Sequence, residues 1–486
     1  MSRCPHHGQQ PLTGVTKYCT YGSEQDHRSD RFGRMFPKLP PNFVPADVLV
    51  EIGKVGGKMS ETGTTVAAVE SKTVPVGHVF FGQFVDHDIT LDVSSSLSKV
   101  VGEADTIPNS RTPRLDLDCI YGAGPEASPF LYDATGVKLL TGAETGGGDP
   151  LAADDLQRNH EGVAMIGDFR NDENRIVSQL QLGIIRFHNQ LAEEALAPIR
   201  AAQPGVADAD LDLPGGLFEE IRQKTTWHYQ WCVVFDFLYA ICGKPVVDDI
   251  LKHGREWYCG GEPYIPVEFS VAAYRFGHSM VPLTIQTQAG QPRFELFGQV
   301  YGNGFAPVGD PRAVVDWHEL FDTSENRQVQ RTKKLNTKLS PELLDLDVVT
   351  SDDPADKSLA ARNLRRGNQF LLPAGEKVAE HMGREQAEID KVMGRIKTVS
   401  GGAIDGTGAP LWLYILAEAE EIGRARPNGQ PQKNEGLGPI GARIVAEVMI
   451  GLLEMDEHSF LGSDRNWLPD ASRRSIGEIL ASTQTI

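Results

Sequence analysis

The stretch GHVFFGQFVDHDITL, residues 77–91, decides the fold, because it is apolar along most of its length and carries polar residues at only a few positions. Phe80, Phe84 and Ile89 can share one stripe of a helix, on which side chains three to four residues apart face the same way. The stretch therefore predicts a helix that is buried inside a large core.

The polar residues of this stretch are the first candidates for a functional site. Gln83 and His87 are four residues apart and face the same way on a helix. Asp86 and Asp88 flank the histidine, and burying two carboxylates without partners is costly. The cluster indicates a metal, a cofactor or cations beside the helix. The alternative is a solvent-exposed cluster at a helix end, and the stretch alone does not decide between the two.

A second helix is predicted from Glu173 onward. Its apolar residues are Ile176, Leu180, Ile184, Phe187 and Leu191. Their intervals of four, four, three and four residues mark one helical face. Similar patterns predict helices at 215–243, 268–281, 356–366, 374–383, 411–423 and 439–454. Alternating strand patterns are rare, so we predict a mainly α fold with long loops, as one large domain over 46–486 behind an extended N-terminal arm over 1–45.

Composition excludes several classes of protein. Apolar residues make up 40% and charged residues 23% of the 486 residues, as in ordinary globular proteins, which excludes a disordered chain or a collagen. The 47 Lys and Arg and 66 Asp and Glu give a net charge of −19. A chain this acidic is a poor nucleic-acid binder. The six cysteines show no CxxC pairing, so no zinc ribbon or dense disulfide framework is indicated.

The sequence offers no targeting signal. Its first residues lack the apolar core of a secretory signal peptide, and no stretch reaches the roughly 18 apolar residues of a membrane span. We therefore expect no membrane span and a protein that is cytoplasmic, or exported without a classical signal peptide. The sequence leaves the oligomeric state open.

Three further motifs carry residues suited to chemistry. GDFRNDENR contains Arg170 and Glu173, RFGHSMV contains Arg275 and His278, and RNLRRG contains Asn363 and Arg366. Taken locally, these residues can also be a helix cap, a packed core histidine and a basic helix end.

A fourth motif, RTPRLDLDCIYG, places oxygen atoms at Thr112, Asp116 and Asp118 in a short loop. Closely spaced carboxylate, hydroxyl and carbonyl oxygens are the ligands that Ca²⁺ prefers. The loop lacks the twelve-residue EF-hand pattern. The motif therefore predicts a calcium site of another kind.

In their order and spacing, these motifs together resemble the animal-type haem peroxidases of the peroxidase–cyclooxygenase superfamily, from about Gly77 to about Asp456, and suggest a bacterial member. The resemblance implies that His87 is the distal histidine, with Gln83 beside it and Arg170 as the distal arginine. It further implies that His278 binds the haem iron and that the side chain of Asn363 accepts a hydrogen bond from the second ring nitrogen of His278.

The resemblance also assigns residues to the cofactor haem b and to Ca²⁺. Asp86 and Glu173 match the carboxylates that form ester links to haem, and Arg275 and, less closely, Arg366 match the arginines that meet its propionates. The implied calcium ligands are Asp88, Thr112, the carbonyl of Arg114, Asp116 and Asp118. Asn174 stands where myeloperoxidase has a methionine that forms a sulfonium link to haem, so that link is excluded here.

The expected function is that of a peroxidase that uses H₂O₂, through a compound I intermediate, to oxidise iodide, bromide, thiocyanate or phenolic donors. One alternative is a haem-dependent fatty-acid dioxygenase, which needs a tyrosine three positions before the proximal histidine. Arg275 occupies that position, and Tyr274 lies one residue earlier. A second alternative is a non-catalytic haem-binding or adhesion module.

Overall fold

The structure, a computed structural model, describes residues 30–63, 65–91, 104–346, 349, 351 and 353–484. Most of the predicted N-terminal arm, residues 1–29, lies outside the described residues. The α-helices of the described residues are α1 (Ala46–Gly53), α2 (Val66–Val69), α3 (Gly77–Ile89), α4 (Asp118–Tyr121), α5 (Gly142–Thr145), α6 (Arg175–Ala202), α7 (Leu217–Cys232), α8 (Lys244–His253), α9 (Gly277–Met280), α10 (Trp317–Leu320), α11 (Pro354–Lys357), α12 (Leu359–Gln369), α13 (Gly375–His381), α14 (Gln386–Ser400), α15 (Leu411–Glu421), α16 (Pro439–Glu454), α17 (Phe460–Ser463) and α18 (Ile476–Ala481).

Strands are few and short in the same residues. They are β1 (Phe32–Gly33), β2 (Glu70–Pro75), β3 (Ile265–Pro266), β4 (Thr284–Ile285), β5 (Phe294–Glu295) and β6 (Arg331–Lys333). They form three two-stranded sheets, in which β1 and β3 are parallel and the other two pairs, β2–β6 and β4–β5, are antiparallel. The mainly α prediction is therefore confirmed.

Helix α3 lies in the core, as its sequence predicts. Every residue of α3 except Gln83 is buried, and Phe80, Phe84 and Ile89 belong to one continuous apolar cluster that extends from Phe32 to Leu480. Helices α6 and α9 both contact α3. A helix this deeply enclosed exposes its polar side chains only to what the protein places beside them.

Helix α6 begins at Arg175 rather than at Glu173, because Asn174 caps it. The side-chain oxygen of Asn174 accepts a hydrogen bond of 3.1 Å from the backbone N–H of Val177, which satisfies one of the unpaired donors of the first turn. The preceding residues Phe169–Asp172 form a single 3₁₀ turn, capped by Asp168. This turn brings the 170–173 segment against α3.

The helix predicted over 268–281 is broken into three parts. Residues Glu268–Ala272 form a π-helical turn and Ala273–Phe276 a 3₁₀ turn, and only Gly277–Met280 is α-helical. The irregular geometry leaves the carbonyl oxygen of Ser270 to accept a hydrogen bond of 2.8 Å from Nε of Arg275. Breaks of this kind are frequent at functional sites.

One helical segment passes the length and composition test for a membrane span. It runs over Leu217–His253 and joins α7 to α8 through two π-helical turns, so the expectation that no apolar stretch is long enough is corrected here. However, 56% of its most apolar window is buried inside the protein. A buried core helix passes the same test, and this single segment is weak evidence for a span.

The described end of the predicted arm packs on the core. Phe32 of β1 is paired with Ile265 of β3, and Phe36 is buried. The carboxylate of Glu268 accepts hydrogen bonds from the backbone N–H groups of Met35 and Phe36 at 3.0 and 3.1 Å. The arm is thereby attached to the broken helix that carries His278.

Candidate active site

One cavity of about 730 Å³ collects the catalytic and cofactor-binding residues that the sequence predicts. Those that line it are Gln83, Asp86, His87, Arg170, Glu173, Arg275, His278, Asn363 and Arg366. They come from α3, from the turn before α6, from the broken helix over 268–280 and from α12. Residues far apart in the sequence therefore meet in one place.

His87 projects from α3 and is buried. Its Nδ1 lies 2.7 Å from Oδ1 of Asn171, whereas its Nε2 lies 3.5 Å from Oε1 of Glu173, which is longer than a normal hydrogen bond. Burial and the positive charge of Arg170 lower the pKa of His87 to about 4. The imidazole is therefore neutral at pH 7.

The guanidinium of Arg170 is held in position by hydrogen bonds to other protein groups. Its Nη2 donates to the carboxylate of Asp168 at 2.7 Å and to the carbonyl oxygen of His87 at 2.9 Å. Asp168 also pairs with Arg111 at 2.7 Å. Burial alone raises the pKa of Asp168, but the hydrogen bonds and charge of Arg170 and the charge of Arg111 lower it to about 2. Nη1 of Arg170 has no hydrogen-bond partner among the described residues.

Gln83, Glu173 and Asn174 form a connected group beside His87. The side-chain amide of Gln83 donates to Glu173, and its carbonyl accepts from Nδ2 of Asn174 at 3.1 Å. Burial raises the pKa of Glu173 to about 7. Because Asn174 also caps α6, the orientation of Gln83 is coupled to the start of that helix.

His278 lies in the same cavity, next to Asn363. Nδ2 of Asn363 faces Nδ1 of His278 at 2.7 Å, so the amide donates and the ring nitrogen accepts, the reverse of the predicted direction. Rotation of the amide by a half turn exchanges Nδ2 and Oδ1 and leaves the rest of Asn363 in place. Burial and the charge of Arg275 lower the pKa of His278 to about 3, so its ring is neutral.

Three arginines line the cavity near His278. Nη1 of Arg275 is 3.7 Å from Oδ2 of Asp86, and the guanidinium carbon Cζ of Arg366 is 5.8 Å from the ring centre of Phe370. The third is Arg362, which the sequence analysis did not select. No described residue hydrogen-bonds or pairs with its guanidinium, and burial and the charge of Arg275 lower its pKa. The negative charge of Asp356 attracts this guanidinium from beyond ion-pair distance. A partly buried cation that is only weakly compensated indicates a place for an anion.

The predicted calcium ligands include a cluster of three aspartates at the C-terminal end of α3, and these three do not line the cavity. Asp88, Asp116 and Asp118 each offer a carboxylate oxygen, and these oxygens lie within 4.8 Å of one another. Oδ1 of Asp88 and Oδ2 of Asp118 are buried without a hydrogen-bond partner. Thr112 donates to Asp116 at 2.9 Å, and burial, followed by the charge of Asp116, raises the pKa of Asp88.

Arg114 and Arg111 differ in their relation to this cluster. The side chain of Arg114 turns toward Asp456 at 3.8 Å, which leaves only its backbone for the predicted role. Nη1 of Arg111 binds Oδ1 of Asp118 at 3.0 Å. Since Arg111 also pairs with Asp168, it links the acidic cluster to the residue that holds Arg170.

Sequence reasoning missed four residues of the site: Arg111, Asp168, Asn171 and Arg362. Asp168 and Asn171 lie within the quoted motif GDFRNDENR, where the cap position before the turn and the residue after Arg170 were available as signals. Arg111 and Arg362 adjoin Thr112 and Asn363, and nothing in the sequence separates either from an ordinary surface arginine.

The sequence of the chain matches a known protein family. The family model "Animal haem peroxidase" matches residues 98–389, more than half of the chain, and the chain belongs to that family. This matched range contains Arg170, Glu173, His278 and Asn363; His87 lies before it.

Two curated relatives match over shorter segments. The chain is 27% identical to "Dual oxidase" of Drosophila melanogaster over 135 residues, which are 28% of this chain and 8% of that protein. It is 27% identical to "Heme peroxidase 2" of Caenorhabditis elegans over 143 residues, which are 28% of this chain and 18% of that protein. The matches thus span less than a fifth of either relative.

Solved structures share the fold over almost the whole chain. Peroxidase A from Dictyostelium discoideum superposes with a TM-score of 0.61 at 14% identity, over 94% of this chain and 95% of that one. The fatty acid alpha-dioxygenase of Arabidopsis thaliana superposes with a TM-score of 0.55 at 14% identity, over 94% of this chain and 75% of that one. At this identity the likeness establishes the fold alone.

Membership of this family implies that the protein binds haem, and the cavity fits that group. A Cβ atom added at Gly277 would meet nothing within 4 Å, so space is open beside His278. The neutral imidazole of His278 is a suitable iron ligand, and the three arginines suit the carboxylates of a haem. His278, Asn363, Arg275, Arg362 and Arg366 are the residues that would hold it.

Proposed function

We propose that this protein is a peroxidase that uses H₂O₂ to oxidise small anions, namely iodide, bromide and thiocyanate, or phenolic donors. The observation that carries the proposal is the placement of a neutral, buried histidine and a positioned arginine, His87 and Arg170, on the same cavity as His278. When bound, haem supplies the redox chemistry, since it accepts oxidising equivalents from peroxide and passes them to the donor.

His87 acts as the general base and acid. Its Nδ1 is occupied by Asn171, so the proton of H₂O₂ is accepted at Nε2 and returned from there to the leaving oxygen. A positioned acid–base group of this kind contributes about 10²–10⁴-fold to a rate.

Arg170 stabilises the negative charge that develops as the O–O bond breaks. Its guanidinium is held by Asp168 and by the carbonyl oxygen of His87 before peroxide arrives. Preorganised charge of this kind costs no reorganisation during the reaction. Gln83, fixed by Glu173 and Asn174, is placed to contact a small anion in the cavity.

His278 and Asn363 do not take part in the proton transfer; their proposed task is to hold the iron. With Nε2 of His278 bound to iron, Nδ1 would carry a proton and donate a hydrogen bond, which Oδ1 of Asn363 would accept once the amide has turned. Asp86 and Glu173 line the cavity, and we propose that their carboxylates would attach the haem through ester links. Each link would replace a C–H bond of a haem methyl group by a C–O bond, and H₂O₂ would take up the two electrons as it is reduced to water. Mass spectrometry of the purified protein tests this attachment, because an ester-linked haem stays with the chain on denaturation.

The acidic cluster is proposed to bind Ca²⁺. Two buried carboxylate oxygens without a partner, on Asp88 and Asp118, are the observation that supports this ion. Hard oxygen ligands of this kind suit Ca²⁺, and its charge offsets the repulsion among the three aspartates. The ion would fix Asp88, which is next to His87.

Asn174 motivates a ranking of halides. Without a sulfonium link, the bound haem is expected to be a weaker oxidant than in myeloperoxidase, so bromide, iodide and thiocyanate are oxidised more readily than chloride. Turnover of chloride at neutral pH that equals turnover of bromide would contradict this ranking.

The test of the proposed function is an absorption spectrum of the haem-loaded full chain, before and after one equivalent of H₂O₂. We expect the ferric band to change with peroxide and to be restored by bromide or iodide. A ferric band that does not change when H₂O₂ is added would contradict the proposed peroxidase activity. His87→Ala should lose this response to peroxide. His318→Ala is its control, because His318 is buried, contacts Thr323 and does not line the cavity.

A haem-dependent fatty-acid dioxygenase is the second candidate, because structures with that activity share the fold. Arg275, not a tyrosine, stands three positions before His278, although Tyr274 is among the residues that line the cavity. Oxygen uptake with linoleate, in the absence of halide turnover with peroxide, would favour this candidate.

A further inference from the structure

A line of buried amides ends at His87. Asn171 and Gln181 are both completely buried, and the carbonyl oxygen of Cys119 lies beyond them. Nε2 of Gln181 donates to the carbonyl oxygen of Cys119 at 3.1 Å, and Nδ2 of Asn171 donates to Oε1 of Gln181 at 2.8 Å. Oδ1 of Asn171 in turn faces Nδ1 of His87 at 2.7 Å. We call Asn171 and Gln181 the amide relay.

The direction of the amide relay is set at its far end. A backbone carbonyl can only accept a hydrogen bond, so the NH₂ group of Gln181 must face Cys119. The carbonyl of Gln181 then faces Asn171 and accepts from its NH₂ group, which leaves the carbonyl of Asn171 facing His87. A carbonyl can only accept there as well, so Nδ1 of His87 must carry a proton.

We propose that Asn171 and Gln181 are positioning residues that fix His87 in the tautomer with a proton on Nδ1 and a lone pair on Nε2. This inference rests on the proposed role of His87 as the base and deepens it. A neutral imidazole has two tautomers, and only the one with a free Nε2 can take a proton at that atom. The tautomer is thus determined by a carbonyl two side chains away.

The contact that competes with the amide relay is weaker. Oε1 of Glu173 lies near Nε2 of His87 and would favour a proton there, but at 3.5 Å it is beyond hydrogen-bond distance. The same carboxylate already accepts from Gln83. The 2.7 Å contact with Asn171 therefore dominates.

The direct test is ¹⁵N NMR of the full chain labelled at histidine, both without haem and as the diamagnetic carbon monoxide form. The His87 signals are identified by their loss in His87→Gln. Protonated and unprotonated ring nitrogens resonate in well separated regions, and we expect a proton on Nδ1 and none on Nε2. A proton on Nε2 in the wild-type protein would overturn the proposal, whatever its variants do.

Variants separate the amide relay from general loss of packing. Gln181→Met keeps the length of the side chain but lets the amide of Asn171 turn, so a shift of His87 toward the Nε2-protonated form is expected. Gln179→Met is the matched control: Gln179 is buried on the same helix and, like Gln181, makes two hydrogen bonds, in its case to the backbone groups of Asp154 and Val315 at 2.6 and 3.2 Å. Gln179→Met should lower the free energy of unfolding by about as much as Gln181→Met and leave the tautomer of His87 unchanged.

Binding of cyanide to the haem-loaded protein gives a second readout. HCN must give up its proton as it binds, so association depends on the free Nε2. Gln181→Met is expected to slow association about tenfold, the equivalent of one buried hydrogen bond, while Gln179→Met leaves it unchanged. Equal effects of both variants would overturn the proposal.

Failure of the proposed function is distinguishable from failure of the amide relay. If the tautomer is as expected but His87→Ala reacts with peroxide at the wild-type rate, His87 is not the base and the amide relay still stands. If His87 carries its proton on Nε2 but His87→Ala loses the reaction with peroxide, the role of His87 as the base is supported and the role of the amide relay is contradicted.

Discussion

Two groups of residues line the cavity, and they differ in how completely the protein satisfies them. Around His87, each polar side chain bonds to another protein group: His87 to Asn171, and Arg170 to Asp168. Around His278, the described residues offer the side chain of Arg275 only a carboxylate at 3.7 Å and a backbone carbonyl. They offer the guanidinium of Arg362 no hydrogen bond or ion pair, only the more distant charge of Asp356. We refer to these as the His87 group and the His278 group.

The difference indicates two tasks: the His87 group is already positioned for a reaction, whereas the His278 group is suited to binding an anion. A side chain whose hydrogen bonds are already made needs no ligand to hold its position, which is the condition for preorganised catalysis. Partly buried cations with few partners cost free energy until an anion joins them. The His87 group is thus held in position without a ligand, with Nη1 of Arg170 and Nε2 of His87 left to meet one, whereas the cations of the His278 group are compensated only when an anion binds.

The largest expected effect comes from breaking the His87 group at its centre. His87→Ala should slow the reaction with peroxide by about 10²–10⁴-fold, because the proton acceptor is lost. Haem binding should remain, since the His278 group is intact. Stopped-flow spectra measure the rate, and a haem titration measures the affinity. Loss of both properties in His87→Ala would show that the two groups are not separable.

Removal of the Ca²⁺ that we propose at the acidic cluster should have the next largest effect. At an ion concentration about 100 times the Kd, binding to the folded state alone stabilises it by about 2.7 kcal/mol. Chelation should lower the free energy of unfolding by about this amount, because Asp88, Asp116 and Asp118 then repel one another. Denaturant titrations with EDTA and with added Ca²⁺ measure the change. Asp133→Asn, which alters a turn away from the cluster, is the control.

Much of the fold follows from apolar periodicity, and the exceptions have physical causes. The helices at 77–89, 175–202 and 439–454 have regular apolar faces or apolar sequences throughout. Helix α14 was missed: four buried residues, Ile389, Val392, Ile396 and Val399, mark its inner face. All four are β-branched, which weakens the helical signal. The breaks within 268–281 depend on tertiary contacts that periodicity does not encode.

The site was predictable where a motif carried it and not where partners come from elsewhere in the chain. His87, Arg170, His278 and Asn363 stand in motifs with characteristic spacing. The role of Gln181 depends on Cys119, which is 62 residues away in sequence, so a local pattern does not show it. That the guanidinium of Arg362 makes no ion pair with the part of the chain that the structure describes is likewise a property of the folded cavity.

Acid should weaken the His87 group through Asp168. Its pKa is about 2, below the ordinary 3.8, because the hydrogen bonds and charges of Arg170 and Arg111 outweigh its burial. The folded state therefore binds fewer protons than the unfolded state between these values. The contribution of about 2 kcal/mol is present above pH 4 and is lost as the pH falls toward 2. Asp168→Asn should remove this part of the pH dependence of unfolding; an unchanged acid limb would contradict it.

The smallest expected effect is on the His278 group, at Arg362. Arg362→Leu should weaken haem binding about tenfold, the equivalent of one charge-assisted hydrogen bond to a carboxylate. The protein without haem should be little destabilised, because the guanidinium of Arg362 makes no hydrogen bond or ion pair with the described residues and is attracted only by the more distant charge of Asp356. Arg365→Leu is the matched control on the same helix, since Arg365 pairs with Asp356 at 3.0 Å and does not line the cavity. If the two variants bind haem equally well, Arg362 does not contact the cofactor. If Arg362→Leu instead destabilises the haem-free protein, the His278 group is already satisfied without a ligand, and the contrast with the His87 group fails.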